Sequence, residues 1–401
     1  MTPAWSHAVT LVALVATGCE QVAPPSPPPR VAVATPLSRE IVEWDEYTGR
    51  LEATEYVEVR ARVDGYLQSV HFRDGQIVEP DALLFVIDPR PYQAEVDGAR
   101  AEVERQLARV ELARSEARRA ERLVARRAIS REELDSRTTG LHDAEASLEA
   151  AVAALDRARL DLEFTEIRAP IRGRVSRDFV NVGNLVNGGT AQSTVLTTIV
   201  SLDPIHVYFE VDERSALKYT ELARQGERPT SRDVANPVMM ALADEEGFPH
   251  RGRMDFVDNR LDPSTGTIRG RAILPNPDLK LTPGLFGRVR LLGSGRYRAL
   301  LLPDHAIATD QSERLVFVVD GQNQVVRKPI EPGPLVDGFR VVRKGVDAAD
   351  RVAISGLQRL RPGAVVEPEE TSIEAPAELP SLAVLREFEA GDGSGQAAPA
   401  P

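Results

Sequence analysis

The chain has 401 residues, of which 42% are hydrophobic, and it carries 49 Lys and Arg against 61 Asp and Glu. This length predicts two to four domains, at about 100–200 residues for each. The formal net charge of −12 argues against nucleic acid as the main partner, because binding to phosphates requires concentrated Lys and Arg. Since Cys19 is the only cysteine, an internal disulfide and a cysteine-based metal cluster are excluded.

The N-terminus has the pattern of an export signal. An apolar stretch at 8–15, too short to cross a bilayer, runs into small residues that precede Cys19. A cysteine in this place resembles the lipobox of bacterial lipoproteins, in which the chain is cut before the cysteine and the thiol is acylated. The alternative is an ordinary secretory signal with a chance cysteine. We predict a signal peptide, lipidation of Cys19, and a proline-rich spacer up to Arg30.

Two segments of the chain, 108 residues apart, share one sequence pattern. Residues 59–65 have the sequence VRARVDG and residues 167–173 have IRAPIRG, and Gly75 and Gly183 continue the match at the same spacing. Both copies combine short apolar and polar alternation with turn glycines, which is typical of β-strands. The repeat predicts one β-sandwich assembled from two halves, so the residues between the halves must project from it.

The residues between the two halves have the heptad pattern of an antiparallel coiled coil. Apolar residues recur at alternating spacings of four and three from Val96 to Val124, with Gln106 as the one polar exception. In the second helix, leucines recur every seven residues from Leu134 to Leu162, with alanines between them. Ser130, followed three residues later by a glutamate, predicts a capping box at the start of the second helix. The hairpin therefore turns near 126–130.

The last third of the chain is rich in predicted β-strands. Short strands between 205 and 295, separated by Pro and Gly turn sequences, predict a small closed barrel. Further strands follow and predict a separate β module, completed by N-terminal strands near Val31 and 46–57. Residues 367–401 hold eight acidic residues and one basic residue among Pro, Ala, Gly and Ser. This composition predicts a disordered tail.

This order of modules resembles the periplasmic adaptor subunits, also called membrane fusion proteins, of resistance-nodulation-division (RND) efflux pumps. Three sequence strings carry the resemblance most specifically: Arg168-Ala169-Pro170-Ile171-x-Gly173, Asp262-Pro263-Ser264-Thr265-Gly266-Thr267 and Leu281-x-Pro283-Gly284-x-Phe286. Biotinyl and lipoyl carriers share the half-motifs, but they place a lysine at the turn between the halves. This chain has no lysine between Thr48 and Asn187, which argues against a covalently bound cofactor.

The resemblance implies a mixed α+β, elongated multidomain fold with a lipoyl-like β-sandwich split by an antiparallel coiled-coil α-hairpin, a β-barrel and a membrane-proximal β domain. The expected divisions are a signal peptide at 1–18, the lipidated cysteine and spacer at 19–30, strands of the membrane-proximal and barrel domains at 31–56, lipoyl-like halves at 57–90 and 163–204, the α-helical hairpin at 91–162, the β-barrel at 205–295, the membrane-proximal domain at 296–368, and a disordered acidic tail at 369–401.

The resemblance also places candidate docking residues at the end of the hairpin. Arg119, Leu123 and Ser130 have the spacing of the motif by which such adaptors are thought to engage an outer-membrane channel protein. Residues 118–131, which we name the hairpin tip, contain six arginines and one acidic residue, Glu121. For any single arginine, a solvated helix end is the simpler interpretation. For the whole set at one tip, we favour partner binding.

The implied function is that of a passive scaffold. A lipid anchors it to the inner membrane with its body in the periplasm, and the barrel and membrane-proximal domain dock on a proton-driven RND transporter. Several copies, as a hexamer or a trimer of dimers, form a tube sealed to the outer-membrane channel for the export of drugs or toxic organic compounds. The alternatives are an adaptor of an ATP-driven exporter, of the macrolide or type I secretion class, and a lipoprotein enzyme acting on the cell wall.

The sequence offers no support for an enzyme or a metal protein. The six histidines lack metal-ligand spacing, and no phosphate-binding loop, nucleophile elbow or zinc-binding helix motif is present. We therefore predict no catalytic activity, no cofactor and no metal.

Overall fold

The computed structural model describes residues 28–189, 192–311 and 313–392. The predicted signal peptide, Cys19 and most of the proline-rich spacer lie outside these residues. The chain divides into two compact units, of which Trp44–Gly295 is one. The other combines the segments on either side, up to Glu43 and from Arg296 onward.

The β-sandwich combines both halves of the sequence repeat, as predicted. Each of its two four-stranded sheets takes two strands from each half, so that neither half forms a sheet alone. The core is apolar, with Phe85 and Leu196 fully buried. In spatial order, the strands of the two sheets are Leu185–Val186, Gly65–Val70, Leu83–Ile87 and Glu166–Arg168 in one, and Tyr56–Arg60, Val195–Val200, Gly173–Val175 and Ile77–Val78 in the other.

Gly188 lies at a close approach between the two halves of the sandwich. Its amide donates a hydrogen bond of 2.7 Å to Asp64 Oδ1 of the first half. A Cβ atom at this position would lie 2.2 Å from the backbone nitrogen of Val63. Because backbone atoms cannot move aside as the end of a side chain can, only glycine permits this contact.

We expect Gly188→Ala to lower the free energy of unfolding by about 2–4 kcal/mol, since the added methyl group forces the halves apart. Denaturant unfolding measures this loss. Gly140→Ala is the matched control, because it lies in a helix with no atom within 4 Å of the added Cβ, and it should be neutral or stabilising by up to ~1 kcal/mol. Equal stability of Gly188→Ala and wild type would contradict the close approach of the halves.

Two long helices separate the halves and form the predicted hairpin. Helix α1 spans Arg90–Ala125, with 36 residues, and α2 spans Arg131–Glu163, with 33 residues. At 1.5 Å per residue, α1 is about 54 Å long. The buried residues of both helices all occupy predicted heptad positions, which confirms the coiled-coil pattern: they are Gln106, Val110, Ala117, Ala120, Ala151, Leu155 and Ala158.

The barrel is closed and has six strands. Its sixth strand, Trp44–Ala53, comes from the N-terminal segment. The strands near 46–57, which we expected to complete the separate β module, therefore belong largely to the barrel, because Trp44–Ala53 pairs with Ile205–Asp212 and Phe286–Leu292. Helix α3, Glu213–Arg224, follows the first barrel strand, and its Tyr219 hydroxyl donates a hydrogen bond of 2.6 Å to Asp45 Oδ2. Around the barrel the strands are Ile205–Asp212, Thr267–Leu274, His250–Val257, Pro237–Leu242, Phe286–Leu292 and Trp44–Ala53.

The other unit contains two sheets and two short 3₁₀ helices. The larger sheet joins N-terminal and C-terminal segments, since Arg30–Ala34 pairs with both Val352–Ala353 and Glu367–Glu370. The 3₁₀ helices are Asp304–Ala306 and Leu357–Arg359. The remaining strands of the larger sheet are Ala308–Asp310, Glu313–Val319 and Val325–Pro329, and the smaller sheet contains Leu37–Ile41, Tyr297–Pro303, Phe339–Lys344 and Glu331–Val336.

The described part of the acidic tail is ordered, in contrast to the disorder expected for 369–401. Helix α4, Pro380–Asp392, buries Leu382, Leu385 and Phe388. These apolar residues recur every three positions and therefore share one helix face. The expectation of disorder rested on the average composition of the segment. Acidic residues on the exposed face of α4 dominate that average, so it does not reveal the apolar stripe.

Candidate docking site at the hairpin tip

The hairpin tip reverses the chain through a Schellman motif at the end of α1. The backbone amide of Arg127 donates to the carbonyl of Val124 at 2.8 Å, and that of Ala128 donates to the carbonyl of Leu123 at 2.9 Å. Arg127 has a φ of 57°, in the left-handed region that glycine usually occupies at this position. The turn is therefore compact. It carries a long charged side chain at the position that glycine, which has no side chain, usually occupies.

Ser130 opens the second helix as its N-cap. Its hydroxyl accepts a hydrogen bond of 3.1 Å from the amide of Glu133, as the capping-box pattern predicts. The same residue was predicted to contact the channel protein. The structure therefore shows a local structural role for Ser130, to which any docking role would be added.

The three predicted docking residues lie at the same end of the hairpin. Arg119 and Leu123 are four residues apart on α1 and hence neighbours on one helix face. Arg119 and Ser130 are exposed, whereas Leu123 is half-buried, like Val124 of the heptad seam. At the tip, Leu123 is thus a partly sheltered apolar side chain with polar and charged neighbours.

The arginines of the tip are exposed and, among the described residues, unpaired. In the described part of the chain, none of the six makes an ion pair or a side-chain hydrogen bond, whereas arginines farther from the turn do. Arg114 pairs with Glu145 at 2.9 Å, and Arg137 pairs with Glu133 at 2.8 Å. The bond to Glu133 also raises the pKa of the Arg137 guanidinium. The six tip arginines are Arg118, Arg119, Arg122, Arg126, Arg127 and Arg131.

Two histidines pair with carboxylates in the barrel. His250 Nε2 lies 2.9 Å from Glu245 Oε2, and His206 Nε2 lies 3.6 Å from Asp255 Oδ2. Burial lowers the pKa of His206.

Within the described ranges, no group of three or more His, Cys, Asp or Glu side chains is placed to hold a metal ion. Over the same residues, no helix is both long and apolar enough to span a membrane.

Comparison with known proteins assigns the domains to one family. Models of RND membrane fusion proteins match in three consecutive parts: the barrel-sandwich hybrid domain over 55–198, the β-barrel domain over 204–294, and the C-terminal permuted SH3 domain over 298–359. Along the chain, these three matches follow the same order as the sandwich, the barrel and the later β domain of the structure.

Full-length relatives agree with this assignment. The multidrug efflux pump subunit AcrA of Escherichia coli K12 is 32% identical over 347 residues, which cover 86% of this chain and 87% of AcrA. The efflux pump periplasmic linker BepF of Brucella suis is 35% identical over 359 residues, 89% of this chain and 85% of BepF. The chain therefore belongs to the RND membrane fusion protein family.

A solved structure shows the shared fold. It is a MacA-MexA chimeric protein that contains the Pseudomonas aeruginosa MexA α-hairpin domain. Its TM-score is 0.52 at 22% sequence identity, and the match covers 81% of this chain and 99% of the chimera.

Proposed function

We propose that this chain is the periplasmic adaptor of a tripartite efflux pump, which links a proton-driven inner-membrane RND transporter to an outer-membrane channel for the export of drugs or toxic organic compounds. The observation that carries the proposal is the similarity to AcrA over 86% of the chain. The relatives favour this function over an adaptor of an ATP-driven exporter.

The length of the hairpin supports a scaffold role. The hairpin carries its tip about 54 Å from the sandwich, because a continuous helix of 36 residues has that length. The tip bears Arg119, Leu123 and Ser130, a mixture of apolar and polar side chains that suits a protein interface. We assign these three residues to channel docking, and the barrel and membrane-proximal domain to the transporter.

Several copies act together in this proposal. A hexamer, or a trimer of dimers, places the hairpins side by side in a tube that joins the two membranes. A hexameric ring of this kind needs two different contact surfaces on each copy, because neighbours make head-to-tail contacts. Such contacts close into a ring when the rotations between neighbours add up to one full turn. The chain supplies no catalytic chemistry in this role and takes no cofactor.

We also propose that a lipid on Cys19 holds the protein at the inner membrane. In membrane extracts, the intact mass should show loss of 18 residues and addition of acyl chains. Cys19→Ser should release the body from the membrane fraction, because no second thiol can be acylated. Unchanged size and membrane association of Cys19→Ser would rule out the lipid anchor without affecting the adaptor assignment.

Deletion of the gene in its native host tests the proposed function. Loss of the adaptor should increase susceptibility to several unrelated drugs, and expression of the wild-type chain should restore resistance. Affinity purification after crosslinking should recover an RND transporter and an outer-membrane channel. Unchanged susceptibility, together with recovery of an ATP-driven transporter, would favour the alternative exporter class instead.

A further inference from the structure

We infer that the six tip arginines form a collar that binds an acidic protein surface on the outer-membrane partner. The inference rests on the proposed function and deepens it, because it states the chemistry of the partner surface and assigns residues outside the three-residue motif. We name Arg118, Arg119, Arg122, Arg126, Arg127 and Arg131 the arginine collar.

The positive charge of the collar is concentrated at the turn. Residues 118–131 carry a net charge of +5, from six arginines and Glu121, in a chain with a net charge of −12. The neighbouring acids are Glu116, Glu132, Glu133 and Asp135, of which Glu116 and Glu133 pair with Arg137 rather than with the collar. In the described part of the molecule the collar has no ion-pair partner, although exposed arginines such as Arg105 and Arg159 pair with acids three residues away. The collar is therefore available to an external anion.

Several collar arginines occupy positions that the fold itself disfavours. Arg118, Arg122 and Arg126 follow one another at intervals of four, so that like charges repel along α1. Arg131 begins α2, where the positive end of the helix dipole disfavours a cation. Arg122, Arg126 and Arg127, at the end of α1, gain from the dipole. Helix stability alone does not account for the set.

Arg127 gives the clearest case of a side chain kept against local preference. Its φ of 57° lies in the left-handed region, where a Cβ atom is unfavourable and glycine is free. Arginine at this position therefore lowers the stability of the turn. We assign the benefit that offsets this cost to binding by its guanidinium group. Replacement by glycine should stabilise the turn and remove one charge, which separates folding from binding.

The surroundings of the collar indicate a protein rather than a nucleic acid. Half-buried Leu123 lies among the arginines, and apolar side chains together with arginine are typical of protein interfaces. Residues 93–163 contain no Phe, Tyr or Trp side chain on which bases could stack. The planar guanidinium group binds carboxylates through two parallel hydrogen bonds. Acidic side chains at the end of the channel protein are thus the expected ligand.

The test measures binding of the full chain to the outer-membrane channel protein isolated from the same host in detergent, over a range of NaCl concentrations. The collar variant combines Arg118→Gln, Arg122→Gln and Arg126→Gln. The matched control combines Arg100→Gln, Arg105→Gln and Arg157→Gln, three arginines of the hairpin that pair with acids of their own helix. The collar variant should bind about tenfold more weakly, with a smaller dependence on salt, while the control binds as wild type.

Arg127→Gly keeps the test independent of folding. It should melt at the same temperature as wild type or higher, and still bind more weakly.

Wild-type affinity and salt dependence in the collar variant would overturn the inference. So would equal binding of the wild-type chain to vesicles of phosphatidylglycerol and lipopolysaccharide, because the collar would then recognise any polyanion. If Leu123→Asp abolishes channel binding and the collar variant does not, the proposed function stands without the collar. If the wild-type chain does not bind the channel, the proposed function fails.

Discussion

Leu123→Asp should abolish drug efflux while the protein is still exported and its hairpin remains helical. Leu123 is half-buried at the tip, beside the turn rather than in the middle of the heptad seam. In the docked state it loses water, and a carboxylate buried without a partner costs several kcal/mol. The new charge also repels the acidic surface that we expect on the channel. Drug susceptibility and crosslinking to the channel protein measure the effect.

Leu112→Asp is the matched control for this substitution. Leu112 lies on the same helix and is 62% exposed, so an aspartate there remains in water and should leave efflux intact. Normal resistance and normal crosslinking of Leu123→Asp, at wild-type protein levels, would show that Leu123 is not part of a docking contact.

The other motif residues should have smaller effects, since they offer polar contacts. Arg119→Glu reverses an exposed charge, whereas Ser130→Asp changes the N-cap of α2. Aspartate caps helices as well as serine does, so Ser130→Asp tests docking with the helix start preserved. Ser130→Ala would confuse the two roles, because loss of the cap alone costs about 1 kcal/mol.

Removal of the hairpin should eliminate efflux completely and leave the remainder folded. The strands that lead into and out of the hairpin are neighbours in one sheet, with Val86 opposite Glu166. The Ile87 amide also donates a hydrogen bond of 2.8 Å to the Thr165 carbonyl. A short Gly/Ser link in place of 91–162 can therefore join the two halves without strain.

Circular dichroism and thermal melting test this deletion. The variant should lose most of its helix signal and keep a cooperative melt, and strains that express it should be as susceptible to drugs as the gene deletion. A product without a cooperative transition would mean that the halves do not form a stable sandwich without the hairpin.

Local periodicity explains how much of the fold was predictable. The heptads between Val96 and Leu162 specify neighbouring turns of a helix, and the structure buries residues at the predicted positions. The repeat around Gly65 and Gly173 likewise predicted a shared sandwich, because two matching half-patterns need each other to bury their apolar faces. These features depend on residues close in sequence or on an internal match.

Features that depend on distant residues were less accessible. The order of strands around the barrel, with Trp44–Ala53 between Phe286–Leu292 and Ile205–Asp212, depends on pairings across more than 150 residues. Helix α4 was missed because its apolar stripe lies within an acidic, proline-containing segment. The Schellman turn was also missed, since Arg127 occupies the position where glycine would have signalled it.

Site-specific crosslinking from the hairpin tip tests the central claim most directly. A cysteine introduced at Ser130 provides one reactive thiol, because the chain's own Cys19 is proposed to be acylated. The comparison variant carries a cysteine at exposed Ala94, near the base of α1. In cells that express the pump, the tip thiol should form an adduct with an outer-membrane channel protein, and Leu123→Asp should remove it. Absence of this adduct, or an equal adduct from Ala94, would contradict the assignment of the tip as the channel-docking site.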